Sequence, residues 1–117
     1  CIRDRNGIVA LGTDFPVEDI SPFKTFYAAV VRKDDNGFPE DGYQMENALT
    51  REEALRGMTI WAALSNFEEA EKGSLEMGKA ADFIVLDKDI MNIEESEILS
   101  TQVLYTYIDG ELVYSQQ

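Results

Sequence analysis

Histidine is absent from this sequence of 117 residues. Imidazole is a ligand in most catalytic zinc sites and the base in Ser-His-Asp and Cys-His centres, so the chain alone builds none of them. There is one cysteine, Cys1. A single thiol excludes an internal disulfide and a zinc site made of several thiolates. With no histidine to activate it, Cys1 is not expected to act as a nucleophile. Basic residues are scarce as well: 10 Lys and Arg stand against 23 Asp and Glu, a net charge of -13. Nucleic acid and anionic membrane are therefore poor partners, because binding to them depends on basic clusters. The acidity reads as a solvated surface, and no calcium loop with its central glycine is present. Long apolar runs are missing too. Runs such as residues 83–86 and 103–105 fall far short of the ~20 residues of a membrane span. No secretion signal or basic leader is visible, so a cytoplasmic setting is expected. Residue 1 is Cys rather than Met, which reads as a segment of something longer.

What the chain does have is an ordinary share of apolar residues, 44%, enough for one domain with a core. Residues 7–13 form a short continuous apolar run, the pattern of a strand buried on both faces. Pro16 then disfavours helix at Phe15. Ser21-Pro22 is a helix start, and Phe23, Phe26, Tyr27, Val30 and Val31 share one helical face. That helix should stop near Lys33. Residues 34–47 read as a loop, broken by Gly37, Pro39 and Gly42. Thr50 and Glu53 form a capping box, and a helix is expected over residues 51–66, with Met58 and Trp61 as core packing. Residues 81–87 read as a strand and residues 94–99 as a short helical turn. Residues 103–108 and 111–114 flank Asp109-Gly110, a strong hairpin signal. The order is thus strand, helix, helix and three strands, with a boundary near residues 67–72.

Four stretches carry a family likeness. Gly12-Thr13-Asp14-Phe15-Pro16-Val17 resembles the turn that closes the last barrel strand in the amidohydrolase superfamily. Leu49-Thr50-Arg51-Glu52-Glu53-Ala54-Leu55 resembles a helix start found in the same enzymes. Lys72-Gly73-Ser74-Leu75-Glu76-Met77-Gly78-Lys79-Ala80-Ala81-Asp82, with the strand after it, is similar to their Gly-x-Leu-x-x-Gly-Lys-x-Ala-Asp signature. Residues 103–114 resemble their closing hairpin. Four motifs in order and at the right spacing make the resemblance specific. Its detail favours the amidohydrolase 3 subgroup, which includes formamide deformylases and hydrolases of other non-peptide C–N bonds.

The resemblance implies an α+β fragment. Residues 1–72 would be the last strand and helices of a (β/α)8 barrel. Residues 73–117 would be the C-terminal half of a small flanking β-sandwich. It implies a catalytic and metal-ligating role for Asp14, past the C-terminal end of a barrel strand, where such barrels do their chemistry. Without the resemblance, Asp14 reads as an Asx-turn or helix cap. The implied cofactor is a divalent metal, zinc, in the full-length parent, with none expected in this fragment alone because the family's histidines would precede residue 1. The implied reaction is hydrolysis of a small-molecule amide-type substrate by metal-activated water. The rival reading is a non-catalytic folded module serving assembly. Half a sandwich leaves sheet edges unpaired, so a homo-oligomer is expected.

Overall fold

Thr50 and Glu53 close the expected capping box. The Glu53 N–H donates to Thr50 Oγ1 at 3.1 Å, and the Thr50 N–H donates to the Glu53 carboxylate at 2.9 Å. Two orphan donors of a helix start are satisfied reciprocally, and helix begins at Arg51. The computed structural model describes residues 2–116, so Cys1 lies outside the described residues. In chain order these residues form α1 (Ile2–Asn6), α2 (Pro22–Val31), a 3-10 turn (Met45–Asn47), α3 (Arg51–Met58) and α4 (Ile60–Ser65). They are followed by β1 (Phe83–Leu86), α5 (Glu95–Ile98), β2 (Val103–Ile108) and β3 (Glu111–Ser115). The α+β class expected from the sequence is what the chain adopts.

Two expectations need correcting. Residues 7–13 form no regular element and belong to no sheet: Gly7 is a bend with φ 74°, and residues 8–13 carry neither helix nor strand. Among the described residues, the backbone bond that ties this segment to another element runs from the Leu11 N–H to the Gly57 carbonyl, 2.9 Å. An apolar run reports that side chains seek cover. It does not supply the neighbouring strand that a ladder needs. The helix expected over residues 51–66 is in fact two, broken at Thr59 (φ -125°, ψ -99°). The Thr59 hydroxyl donates to the Leu55 carbonyl at 2.7 Å, a side-chain bond that competes with the helical ladder and bends it.

The core lies where α2, α3 and α5 meet. Phe26, Tyr27, Val31, Ala54 and Ile98 are buried there, and Leu11 and Met58 pack against them. Phe26, Tyr27 and Val31 belong to the apolar face expected of α2. The sheet has the order β1-β2-β3, antiparallel throughout. Phe83 and Tyr107 are directly opposite and stack with centroids 4.5 Å apart. Asp109 (φ 50°) and Gly110 (φ 79°) form the turn between β2 and β3, both with the positive φ of a type I′ hairpin. Two aspartates tie the ends of the β1–β2 pair. Asp82 Oδ1 accepts the Asp109 N–H at 2.8 Å, and Asp87 Oδ1 accepts the Gln102 N–H at 2.7 Å.

The accessible surface is 8140 Å², against roughly 6,400 Å² expected of a folded monomer of this size. The radius of gyration is 14.9 Å, against about 13 Å expected. Every residue of β3 is exposed. Between α3–α4 and the sheet lies an open groove of about 1330 Å³, lined by Leu55, Met58, Ile60, Phe83 and Ile84 among others. No helix among the described residues is long and apolar enough to cross a membrane.

Candidate active site

The segment carrying Asp14 is held by a helix end. Gly57 stands in the last turn of α3, where backbone carbonyls have no partner within the helix. The Leu11 N–H supplies one at 2.9 Å. Gly57 is buried, and a Cβ there would stand 2.9 Å from both the Val9 carbonyl oxygen and Leu11 Cγ. The missing side chain is therefore what lets residues 9–11 lie against α3. Three residues further on, the chain turns. The Asp14 carbonyl accepts the Val17 N–H at 2.9 Å, and Thr13 Oγ1 accepts the Phe15 N–H at 3.4 Å. The Phe15–Pro16 peptide is cis.

Asp14 sits at the start of this turn with φ 53°. Few residues adopt that left-handed region readily; Asp and Asn are among those that do. Asp14 is exposed, and its carboxylate bonds to no other described side chain. Pro16, Val17 and Glu18 after it are exposed as well.

A second loop is fastened beside this turn. Lys24, on α2, reaches Asp19 at 2.9 Å and Asp35 at 3.2 Å. One ammonium thus joins the stretch after Asp14 to the loop of residues 33–42. The hydrogen bond from Lys24, then the Ser21 N–H, hold the Asp19 carboxyl below its ordinary range. Asp19 and Asp35 in turn hold the Lys24 ammonium above its own. The loop is closed at its neck by the Tyr43 N–H to the Arg32 carbonyl, 2.8 Å, and by Arg32 Nε to the Tyr43 carbonyl, 2.9 Å. Inside it, Asp34 Oδ1 accepts the N–H groups of Asn36 and Phe38, both at 2.9 Å. Those backbone donors hold the Asp34 carboxyl low, the Phe38 bond contributing most.

Among the described residues, no group of three or more His, Cys, Asp and Glu side chains is arranged to hold a metal ion. A catalytic zinc takes three protein ligands. The turn itself, residues 14–17, carries one carboxylate, Asp14, and Asp19 just beyond it is taken by Lys24, so these donors do not by themselves fit a metal. The motif reading pointed to Asp14. It missed Gly57 and Lys24, whose roles come from a close approach and from the reach of a long side chain. Neither leaves a motif in the chain.

The family profile described as "Amidohydrolase family" matches residues 2–114. An N-substituted formamide deformylase of Arthrobacter pascens is 38% identical over 108 residues, 92% of this chain and 19% of that protein. The protein LONG AFTER FAR-RED 3 of Arabidopsis thaliana is 35% identical over 109 residues, 93% of this chain and 18% of its own length. A putative amidohydrolase, YtcJ, of Bacillus subtilis (strain 168) is 28% identical over 109 residues, 93% of this chain and 21% of its own. The chain therefore spans about a fifth of the length of the curated relatives it matches. No solved structure matches it.

Proposed function

Because the chain belongs to the amidohydrolase family, we propose that it is the C-terminal part of a metal-dependent hydrolase of non-peptide carbon–nitrogen bonds, with Asp14 as its reacting carboxylate. Residues 1–72 would end the barrel and residues 73–117 would supply sandwich strands. The observation that carries this reading is the Asp14 turn: an exposed carboxylate with no side-chain partner among the described residues, on a segment docked to α3 at Gly57.

Such a carboxylate can take a proton from an attacking water and return it to the leaving nitrogen. The metal of such an enzyme would activate the water, and ligands beyond Asp14 would come from outside these residues. The substrate is a small amide-type molecule. Loop 33–42 borders its pocket in this reading, which the Lys24 bridge to the Asp14 side supports. The unpaired edges of the sheet favour association with a second copy. On its own the chain hydrolyses nothing in this reading.

The test is Asp14→Asn in a full-length amidohydrolase polypeptide containing this segment. Asn tolerates the same left-handed backbone, so the turn survives and the proton function is removed. The expected loss in kcat is ~10²–10⁴-fold, the usual contribution of an acid–base group. Activity within about tenfold of wild type would sink the assignment. A second reading, a folded module serving assembly, draws on the absence of histidine and predicts that this substitution changes nothing.

A further inference from the structure

The Asp14 turn is tied at two ends. At the near end the Leu11 N–H bonds the Gly57 carbonyl. At the far end Asp19 uses both carboxylate oxygens: Oδ1 accepts the Ser21 N–H at 3.0 Å, and Oδ2 lies 2.9 Å from Lys24 Nζ. Among the described residues, the hydrogen bonds of residues 12–18 stay within the segment, from the Val17 N–H to the Asp14 carbonyl and from the Phe15 N–H to Thr13 Oγ1. The two anchors therefore set where the Asp14 carboxylate stands. The far one depends on a single ammonium. Lys24 is rooted in α2, whose Phe26, Tyr27 and Val31 are buried in the core. Its Nζ also lies 3.2 Å from Asp35 Oδ2, and Asp35 Oδ1 accepts from Asn36 Nδ2 at 3.2 Å. Arg32, at the other end of α2, is engaged by Tyr43 instead, through its carbonyl at 2.9 Å and its ring at 5.8 Å.

We propose that Lys24 is a positioning residue for the reaction and acts through two arms: the Asp19 arm fixes the Asp14 turn, and the Asp35 arm fixes loop 33–42. The proposal rests on the role given above to Asp14. Lys24 itself touches no reacting atom. A carboxylate that moves a proton must stand within hydrogen-bond reach of it, and a misplacement of about 1 Å costs as much as ~10²-fold in rate. A turn bonded to the rest of the chain only at its ends passes slack at either end to its middle. Loss of the Asp19 arm thus frees the carboxylate and lowers kcat. Loss of the Asp35 arm frees a loop that borders substrate but makes no bond in the reaction. Such a loop binds ground state and transition state alike, so its loosening raises KM and leaves kcat in place. One ammonium therefore governs the two kinetic constants through separate partners. Lys24, Asp19 and Asp35 are all half exposed, and exposed ion pairs add little to stability. The bridge decides where the two segments stand and leaves the folding of the chain to the core.

The test takes a full-length amidohydrolase polypeptide containing this segment, with N-butylformamide and N-butylacetamide as substrate probes. Asp19→Asn lowers kcat about three- to tenfold with KM unchanged, the range that a half-exposed ion pair sets. Asp35→Asn raises KM by a similar factor with kcat unchanged, and Lys24→Met does both. Lys24→Arg, whose guanidinium fork spans two carboxylates, stays within about twofold of wild type. A readout apart from activity comes from amide exchange in the 117-residue chain. Asp19→Asn speeds exchange at residues 14–20 and spares residues 33–42, and Asp35→Asn does the reverse. A double-mutant cycle separates positioning from a general effect on the fold. Placed on Asp14→Asn, Lys24→Met lowers kcat no further, because no proton function is left to misplace. A further fall of the same size in that background overturns the proposal. So do Asp19→Asn and Asp35→Asn variants in which kcat and KM change together. Near-wild-type activity of Asp14→Asn, or inactivity of the wild-type polypeptide toward both probes, sinks the reading above and this inference with it. A crippled Asp14→Asn beside an unimpaired Lys24→Met sinks this inference alone.

Discussion

At Gly57 a hydrogen atom does what no side chain can. The α3 backbone, the Val9 carbonyl and the Leu11 side chain converge there, and a Cβ would lie 2.9 Å from two of their atoms. Alanine is ordinarily the better helix residue by about 1 kcal/mol. Here the clash outweighs that gain, because one of the crowded atoms is a backbone oxygen that cannot rotate away. Gly57→Ala should destabilise the chain by about 1–3 kcal/mol, the usual cost of overpacking, seen as a lower urea midpoint. The Leu11 amide should also exchange faster, since its acceptor is the Gly57 carbonyl. An unchanged midpoint would mean that residues 9–11 are not held at α3. The turn at Asp14 was legible from its neighbours in the chain. Gly57, which positions the Asp14 segment, was not, because a glycine forced by contact looks the same in sequence as one that is merely tolerated.

Among the elements, those governed by local chemistry were legible. The capping box at Thr50, the apolar face of α2 and the Asp109-Gly110 hairpin form as their residues require. What was not legible depends on partners distant in the chain. Residues 7–13 have the composition of a buried strand and no described strand beside them, and α3 and α4 separate at a threonine whose hydroxyl bonds the backbone. The Lys24 bridge belongs to the same class. Asp19 lies below its ordinary carboxyl value of 3.8, so its stabilising contribution is present above that value and fades as the pH falls through the lower folded one. Lys24 lies above its ordinary 10.5, so its contribution is present below that value and fades as the pH rises through the higher folded one. The bridge should hold across the neutral range and release in acid. Amide exchange at residues 14–20 and 33–42, corrected for the intrinsic rate, should show protection at about pH 7 that declines as the pH is taken progressively below 3.8. Lys24→Met should lose it at neutral pH, and equal protection in that variant would rule the bridge out as the tie between the loops.

The whole molecule is asymmetric in its cover. One end has a core around Phe26 and Ile98; the other presents a three-stranded sheet whose last strand is exposed on every residue. With the order β1-β2-β3, the outer edge of β3 faces no other described strand. Leu112, Val113 and Tyr114 are 52%, 55% and 49% exposed along it. An open, apolar edge pairs with another like it unless a charge prevents this. Sedimentation velocity should show self-association of the isolated chain at an ionic strength that screens its net charge of -13, abolished by Val113→Lys. A wild-type monomer at tens of micromolar would count against association through the edge.

The hairpin turn also bears on how the chain ages. An aspartate followed by glycine is chemically labile, because the glycine nitrogen can attack the side-chain carboxyl with loss of water, and the cyclic imide so formed is reopened by water to an isoaspartyl link. In the folded chain the Gly110 N–H is engaged by the Ala81 carbonyl at 3.0 Å, and the Asp109 N–H by Asp82. The attacking nitrogen is thereby kept occupied for as long as the turn stays docked on the start of β1. Chains that spend time open at this corner would accumulate isoaspartate at residue 109, and its level would record their history of unfolding.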